Sequence, residues 1–459
     1  MIRFLVSVLL CGAALSAETA DAIWSARYVV TMDAGHRLIE NGAIAVRGSR
    51  IVGVGSKVEI VRRFPAAKIL DRPEAILIPG LINTHTHAAM SLFRGVADDM
   101  RLQEWLTNFI FPAEAKNVTS DFVYAGTKLA CLEMMLSGTT TYVDMYYFEE
   151  RVAEATREAG MRGVLGQTVI GFPTPDSKTP EDALARTAKF IERFRNDPLI
   201  TAAVAPHALF TNSPETLRGA RALAKRCAAP LVIHLSETRR ENEEGVAKYK
   251  MSPTRFLDSI GLFEGTTIAA HGVWLDDADI EILRARHVGV AHCPSSNMKL
   301  ASGVAPIVKL LGAGIATGLG TDGPAGSNND FNMMEEMNLA ANLQKVASGD
   351  PTVLPARQAL EMATIDGARV IGREKDLGSL EEGKLADIVS LRIDRANAIP
   401  MYNVYSQIVY ALKGSDVRDV MINGRTVVLD GRSLTLDPSA IFARARVYQK
   451  QVSQSLAIR

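Results

Sequence analysis

Cysteine is scarce in this 459-residue chain, and its four copies share no useful spacing. Cys11 falls in an N-terminal apolar run, while Cys131, Cys227 and Cys293 stand far apart, which excludes a disulfide framework and a CxxC metal knuckle. Net charge is also absent: Lys+Arg and Asp+Glu both number 51. With no basic block either, the electrostatic footprint for nucleic acid or an anionic membrane is missing. Small, neutral ligands suit such a chain better than polyanions. Internal repeats and low-complexity tracts are lacking as well. What remains is 47% apolar and 22% charged residues, the profile of a globular protein larger than one ordinary domain.

The first residues, MIRFLVSVLLCGAALSAETADA, read as a secretory leader spanning 1–22. Arg3 supplies the positive start, and the apolar run from Phe4 to Ala17 is too short for a comfortable membrane span. Ala17 or the Ala20-Asp21-Ala22 triplet offers the small residues a cleavage site needs. The expectation is an exported chain, periplasmic or secreted, with no membrane span once matured. The alternative is a cytoplasmic protein with a mis-assigned upstream start. Lipid attachment at Cys11 is disfavoured by the bulky Leu10 before it.

Between about residues 79 and 325, eight short apolar runs alternate with amphipathic stretches. They lie at 81–85, 140–145, 163–170, 200–205, 230–234, 267–271, 288–292 and 314–320. Each is rich in Val, Ile and Ala and mostly unalternated, as a strand buried on both faces should be. One intervening helix opens at Thr119-Ser120-Asp121, carries Phe122, Ala125, Leu129 and Leu132 on a stripe and stops at Gly138. Eight strands with helices between them predict a parallel (β/α)₈ TIM barrel over 79–375. The flanks read differently. Residues 43–47 and 50–54, with Gly48-Ser49 between them, carry a hairpin pattern, and 386–391 and 419–425 repeat the texture. Neither flank can stabilise a core alone, so 23–78 and 376–435 are expected to pair as a small β-sandwich domain, followed by a C-terminal helix over 436–459.

Six of the eight histidines fall at the C-terminal ends of the predicted barrel strands, the rim on which this fold builds its sites. These are His85, His87, His207, His234, His271 and His292, and Asp322 ends the eighth strand. His85 and His87, two apart on an extended strand, share a face and can reach one ion about 2.1 Å from each nitrogen. His234 and Asp322 complete a set of three imidazoles and a carboxylate. That set suits Zn²⁺, with Fe²⁺ or Mn²⁺ as alternatives, and leaves a position for water. A second ion would need a bridging Lys or Glu from the third or fourth strand, and 161–170 and 200–207 contain neither. One divalent ion per chain is therefore expected. His36 and His287 lie off the rim, and for His292 a structural part is expected rather than ligation.

The segments Pro79-Gly80-Leu81-Ile82-Asn83-Thr84-His85-Thr86-His87, Ala205-Pro206-His207, His234-Leu235-Ser236-Glu237-Thr238, Ala270-His271-Gly272, His292-Cys293-Pro294-Ser295-Ser296-Asn297 and Gly320-Thr321-Asp322-Gly323 resemble the amidohydrolase superfamily. Within it they resemble the branch holding 5-methylthioadenosine/S-adenosylhomocysteine deaminases and triazine chlorohydrolases. The C-terminal run Gly378 to Asp387 is similar to the same family's return to its small β-domain. The likeness covers essentially everything after the leader. Its chemistry can be argued beside it. Glu237, three residues after His234, is suited to protonate a ring nitrogen while water adds next to it, then to pass the proton to the leaving group. The family gives this residue the same task. Asp322 can accept a hydrogen bond from the water, and His271 can orient it. A bound ion would lower the pKa of water from about 15.7 toward 7.

The resemblance further implies that Glu114 binds ribose hydroxyls, His207 hydrogen-bonds the purine and Trp105 forms an apolar wall. It also implies a homo-oligomer. The related deaminases carry a strand-3 arginine for the polar tail of the substrate, and Gln167 is the nearest counterpart here. The reading is metal-dependent hydrolytic deamination of an adenosine-like purine: 5-methylthioadenosine, S-adenosylhomocysteine or adenosine. S-adenosylhomocysteine is the least favoured of the three. Alternatives are hydrolysis of s-triazines, which would not require Glu114, cyclic amide hydrolysis, and a catalytically dead metal binder, which would not require Glu237.

Overall fold

A computed structural model describes residues 18–456; residues 1–17, most of the expected leader, lie outside the described residues. Eight parallel strands follow one another around a barrel: Leu81–Thr86, Thr139–Tyr146, Arg162–Val169, Ile200–Pro206, Leu231–Leu235, Thr267–His271, Gly289–His292 and Thr317–Leu319. The eighth is brought almost to closure on the first, through Asp322 N–H donating to His85 O at 3.0 Å and Thr84 Oγ1 donating to Leu319 O at 2.8 Å. Almost every strand residue is buried, which is why these runs read as unalternated apolar stretches. The expected barrel is present. The last strand is shorter than its apolar run, because Gly314 takes φ +75° and the chain turns there before pairing.

The helix expected after Thr119 spans Ser120–Leu136. Thr119 caps it by accepting from Phe122 N–H, and its exit runs through Gly138 at φ +92°. The C-terminal helix Pro438–Leu456 packs against it, with Tyr448 edge-on to Phe122 at 5.2 Å between ring centres.

The two flanks meet in one eight-stranded mixed sheet. From the N-terminal side come Ala22–Val30, Leu38–Arg47, Arg50–Ser56 and Lys68–Pro79, and from the C-terminal side Ile388–Arg392, Val417–Ile422, Arg425–Leu429 and Arg432–Ser433. The seam is antiparallel, with Ile388 opposite Pro79 and Leu391 opposite Ile76. A partly buried bidentate pair, Arg72 on Asp419 at 2.9 Å for both bonds, crosses it. Asn423 and Gly424, both left-handed, form the tight turn of the C-terminal hairpin. Sheet and barrel are continuous: Pro79 leads through Gly80 straight into the first barrel strand. A Cβ on Gly80 would lie 2.1 Å from Thr140 Oγ1, so the passage admits only glycine. Among the described residues, no helix is long and apolar enough to cross a membrane.

Candidate active site

The rim gathers five groups around one point. His85 Nε2 and His87 Nε2 lie 3.4 and 3.3 Å from Asp322 Oδ1, and His234 Nε2 lies 3.4 Å from His87 Nε2. His271 stacks on His234 at 5.5 Å between ring centres. His87 Nδ1 donates to Met145 O at 2.7 Å and His234 Nδ1 donates to His207 O at 2.8 Å. With Nδ1 carrying the proton, both Nε2 atoms present lone pairs to the same point. His85 is fully buried and makes no hydrogen bond through either ring nitrogen. An orphaned buried imidazole calls for an explanation, and a shared electrophile provides one. The groups His85, His87, Asp322 and His85, His234, His271 each hold their ligand atoms within 4.8 Å of one another, so these residues fit a metal ion.

The Asp322 carboxylate dominates the electrostatics of the cluster. Burial opposes charge on His87, yet Asp322 beside it holds the ring up to about 9. Burial likewise opposes charge on Asp322, yet His85 and His87 hold its carboxyl well below the ordinary range. The carboxylate thus demands a cation. Backbone strain accompanies the charge: Ser236, His271 and Asp322, at the ends of the fifth, sixth and eighth strands, have φ of 48°, 73° and 61°. Non-glycine residues enter that region at a cost of roughly 1–3 kcal/mol each, and such strain concentrates at working sites.

A cleft whose empty volume, with the open solvent at its mouth included, is about 580 Å³ lies over this cluster. Of the nine residues singled out from the sequence, eight line it: His87, Trp105, Glu114, His207, His234, Glu237, His271 and Asp322. His85 lies beneath them. Glu237 is 4% exposed, and its Oε2 sits 3.8 Å from His271 Nε2. Burial, with the Asp322 charge second, pushes its carboxyl up to about 8. Farther along the wall, Glu114 Oε1 accepts from Tyr146 Oη at 2.7 Å and Oε2 from Tyr147 Oη at 3.3 Å. Burial raises this carboxyl to about 7. His207 bonds Thr211 Oγ1 through Nδ1 at 3.1 Å and is kept neutral, its pKa lowered to about 3 by burial and the neighbouring imidazoles. Trp105 is an apolar wall that is also anchored, donating from Nε1 to Ala325 O at 3.0 Å.

A scan against family models matches residues 76–427 to the amidohydrolase family. The chain belongs to the amidohydrolase family. Its members are metal-dependent hydrolases, in keeping with the cluster just described. Similar proteins include a 5-methylthioadenosine/S-adenosylhomocysteine deaminase from Thermodesulfovibrio yellowstonii, 45% identical over 94% of this chain and 98% of that one. A solved adenosine deaminase from Xanthomonas campestris with bound zinc superposes with a TM-score of 0.93 at 37% identity, covering 96% of this chain and all of the other. An atrazine chlorohydrolase from Arthrobacter aurescens, also zinc-bound, superposes at 0.87 with 25% identity, covering 93% of this chain and all of that one.

One sequence assignment in this amidohydrolase needs correcting. Gln167 is not at the cavity; it is buried, donating to Asp176 Oδ2 at 2.8 Å and accepting from Glu149 N–H. Thr168 lines the cavity instead. Strand side chains alternate faces, so an error of one residue exchanges wall for interior. Several contributors were missed. Tyr146 ends the second strand and Tyr147 follows it, and the rim rule applied to that strand would have found them. Glu241 follows Arg239 and Arg240 in a charged stretch of sequence, yet its carboxylate accepts from Ser236 N–H and Glu237 N–H at 3.2 and 2.7 Å and braces the Glu237 loop. His292 is fully buried away from the cavity with neither ring nitrogen bonded, and burial keeps it neutral by lowering its pKa to about 3.

Proposed function

We propose that this amidohydrolase hydrolytically deaminates an adenosine-like purine nucleoside, with adenosine or 5-methylthioadenosine ahead of S-adenosylhomocysteine. One observation carries the reading. A single cavity joins a buried carboxyl, Glu237, beside the histidine–aspartate cluster to a second carboxyl, Glu114, gripped by two phenols. The first suits a heteroaromatic carbon bearing an amine and the second suits a diol. The names of the relatives support the same class. Among the described residues no arginine or lysine lines the cavity, so the carboxylate of an amino-acid tail finds no cation on that wall.

His85, His87, His234 and Asp322 would hold one divalent ion, with Zn²⁺ the natural choice for such a set. When bound, the ion supplies Lewis acidity that makes water nucleophilic at neutral pH. Glu237 Oε2 gives its proton to the ring nitrogen beside the attacked carbon. As carboxylate it takes one proton from the added water and delivers it to the departing amine, then takes the second as the carbonyl forms and is itself restored, so water and nucleoside become the oxo-purine and ammonia. His271 Nε2 orients the attacking oxygen, His207 hydrogen-bonds the purine, Glu114 accepts from the ribose hydroxyls, and Trp105 closes the apolar side.

The test is ammonia release by purified protein across adenosine, 5-methylthioadenosine, S-adenosylhomocysteine and an amino-s-triazine. The nucleosides without an amino-acid tail should turn over fastest. Turnover of the triazine with none of the nucleosides would overturn the assignment.

A further inference from the structure

The short helix Pro294–Lys299, directly after the seventh strand, presents two fully buried polar side chains that do separate jobs. Ser296 Oγ donates to Asp322 Oδ2 at 2.7 Å, while Asp322 Oδ1 accepts from Gly323 N–H at 2.7 Å and faces His85 and His87. The hydroxyl thereby fixes one carboxylate oxygen and leaves the other to the cluster. The next residue, Asn297, uses Oδ1 to accept from His271 Nδ1 at 3.1 Å. That bond keeps the proton on Nδ1 and leaves Nε2 bare on the side of Glu237. The helix itself is pinned. Ser295 N–H donates to Glu336 Oε2 at 3.2 Å, and Glu336 Oε1 accepts from the Asn328 amide, which also donates to Thr321 O at 2.8 Å, one residue from Asp322.

From this geometry we infer that Ser296 and Asn297 are a pair of positioning residues, Ser296 setting the Asp322 carboxylate and Asn297 setting the His271 tautomer from one helix. The inference rests on the reading above that Asp322 and His271 serve the hydrolytic water. Because adjacent residues hold both groups, carboxylate and imidazole keep a fixed relation that separate loops would not guarantee. Groups that orient ligands and bases in this way are worth about 10- to 100-fold in ion affinity or activity.

The test uses Ser296→Ala, Ser296→Thr, Asn297→Ala and Asn297→Asp in the ion-loaded protein. Each alanine variant should lose at least about tenfold in kcat with little change in KM, because the groups act on the reacting water rather than on nucleoside binding. Threonine and aspartate, which restore the hydroxyl and the acceptor, should recover most of it. Ser296→Ala should also yield its ion at a chelator concentration about tenfold lower than the parent needs. In protein labelled with ¹⁵N-histidine, His271 should show a protonated Nδ1 and a bare Nε2 in the parent, and that signature should be lost in Asn297→Ala. Alanine variants with parent kcat, or rescue variants as impaired as the alanines, would overturn the inference. Should the parent release no ammonia from any nucleoside, the substrate reading falls, and the ¹⁵N signature and ion retention still decide the positioning roles.

Discussion

Replacing Glu237 with Gln separates the proton from everything else this side chain does. The residue is 4% exposed, and burial with the Asp322 charge holds its carboxyl at about 8. Burial thus favours the protonated form of this carboxyl. Glutamine keeps the size and shape and removes the transferable proton. The loop should not move, because Glu241 holds it through the backbone N–H groups of Ser236 and Glu237, not through the Glu237 side chain. Glu237 is not among the groups that converge on an ion, so ion content should persist. The loss then falls on acid–base transfer alone. That is worth about 10²- to 10⁴-fold in turnover, or about 2.7–5.5 kcal/mol of barrier. The assay is the initial rate of ammonia release at saturating adenosine, with ion content and circular dichroism measured on the same preparation. Parent-rate turnover in a folded, ion-loaded Glu237→Gln protein would refute the assignment and move the chemistry to Asp322 and His271.

Three further outcomes are expected. His234→Ala should lose ion and activity together by elemental analysis and ammonia assay, and chelation of the parent should lower Tm, since an ion at 100 times its Kd adds about 2.7 kcal/mol; full ion retention by the variant would count against the ligand set. Burial raises the Glu336 carboxyl from an ordinary 4.5 to about 8, so its contribution to stability is complete below about 4.5 and lost as pH rises through 8. The Tm of Glu336→Gln relative to the parent should therefore improve between pH 6 and pH 9, and a constant difference would refute the shift. If the chain is exported, mass spectrometry should find the mature start at Glu18, because Glu18 pairs with Arg63 at 2.8 Å and Asp21 accepts from Gly48 N–H at 2.7 Å, contacts that cleavage after Ala22 would remove; an intact Met1 in a cytoplasmic fraction would count against export.

The barrel was legible because strands buried on both faces carry an unmistakable apolar texture, and because Thr119 and Gly138 punctuate their helix with local chemistry. The histidine–aspartate cluster was legible because histidines recur at strand ends on the rim, although His292 among them is packed away from the cavity. What stayed hidden depends on parity or on contacts distant in sequence. Gln167 and Thr168 differ by one step of the pleat, and no local feature tells which of them faces the cavity. Glu241 reads as a solvated charge until the fold turns its carboxylate onto two backbone amides. Ser296 and Asn297 could be quoted as part of a familiar segment, yet their partners, Asp322 and His271, lie 26 residues away on other strands. The joining of the two flanks was foreseeable from their shortness, whereas the Arg72–Asp419 pair across 347 residues was not.

The most direct test of the account is a crystal structure of Glu237→Gln protein with its ion and 5-methylthioadenosine. The account predicts the amine-bearing carbon over Asp322 and His271, the neighbouring ring nitrogen against residue 237, and the ribose hydroxyls on Glu114. A nucleoside bound in the reverse sense, with ribose at the histidines and purine at Glu114, would contradict it.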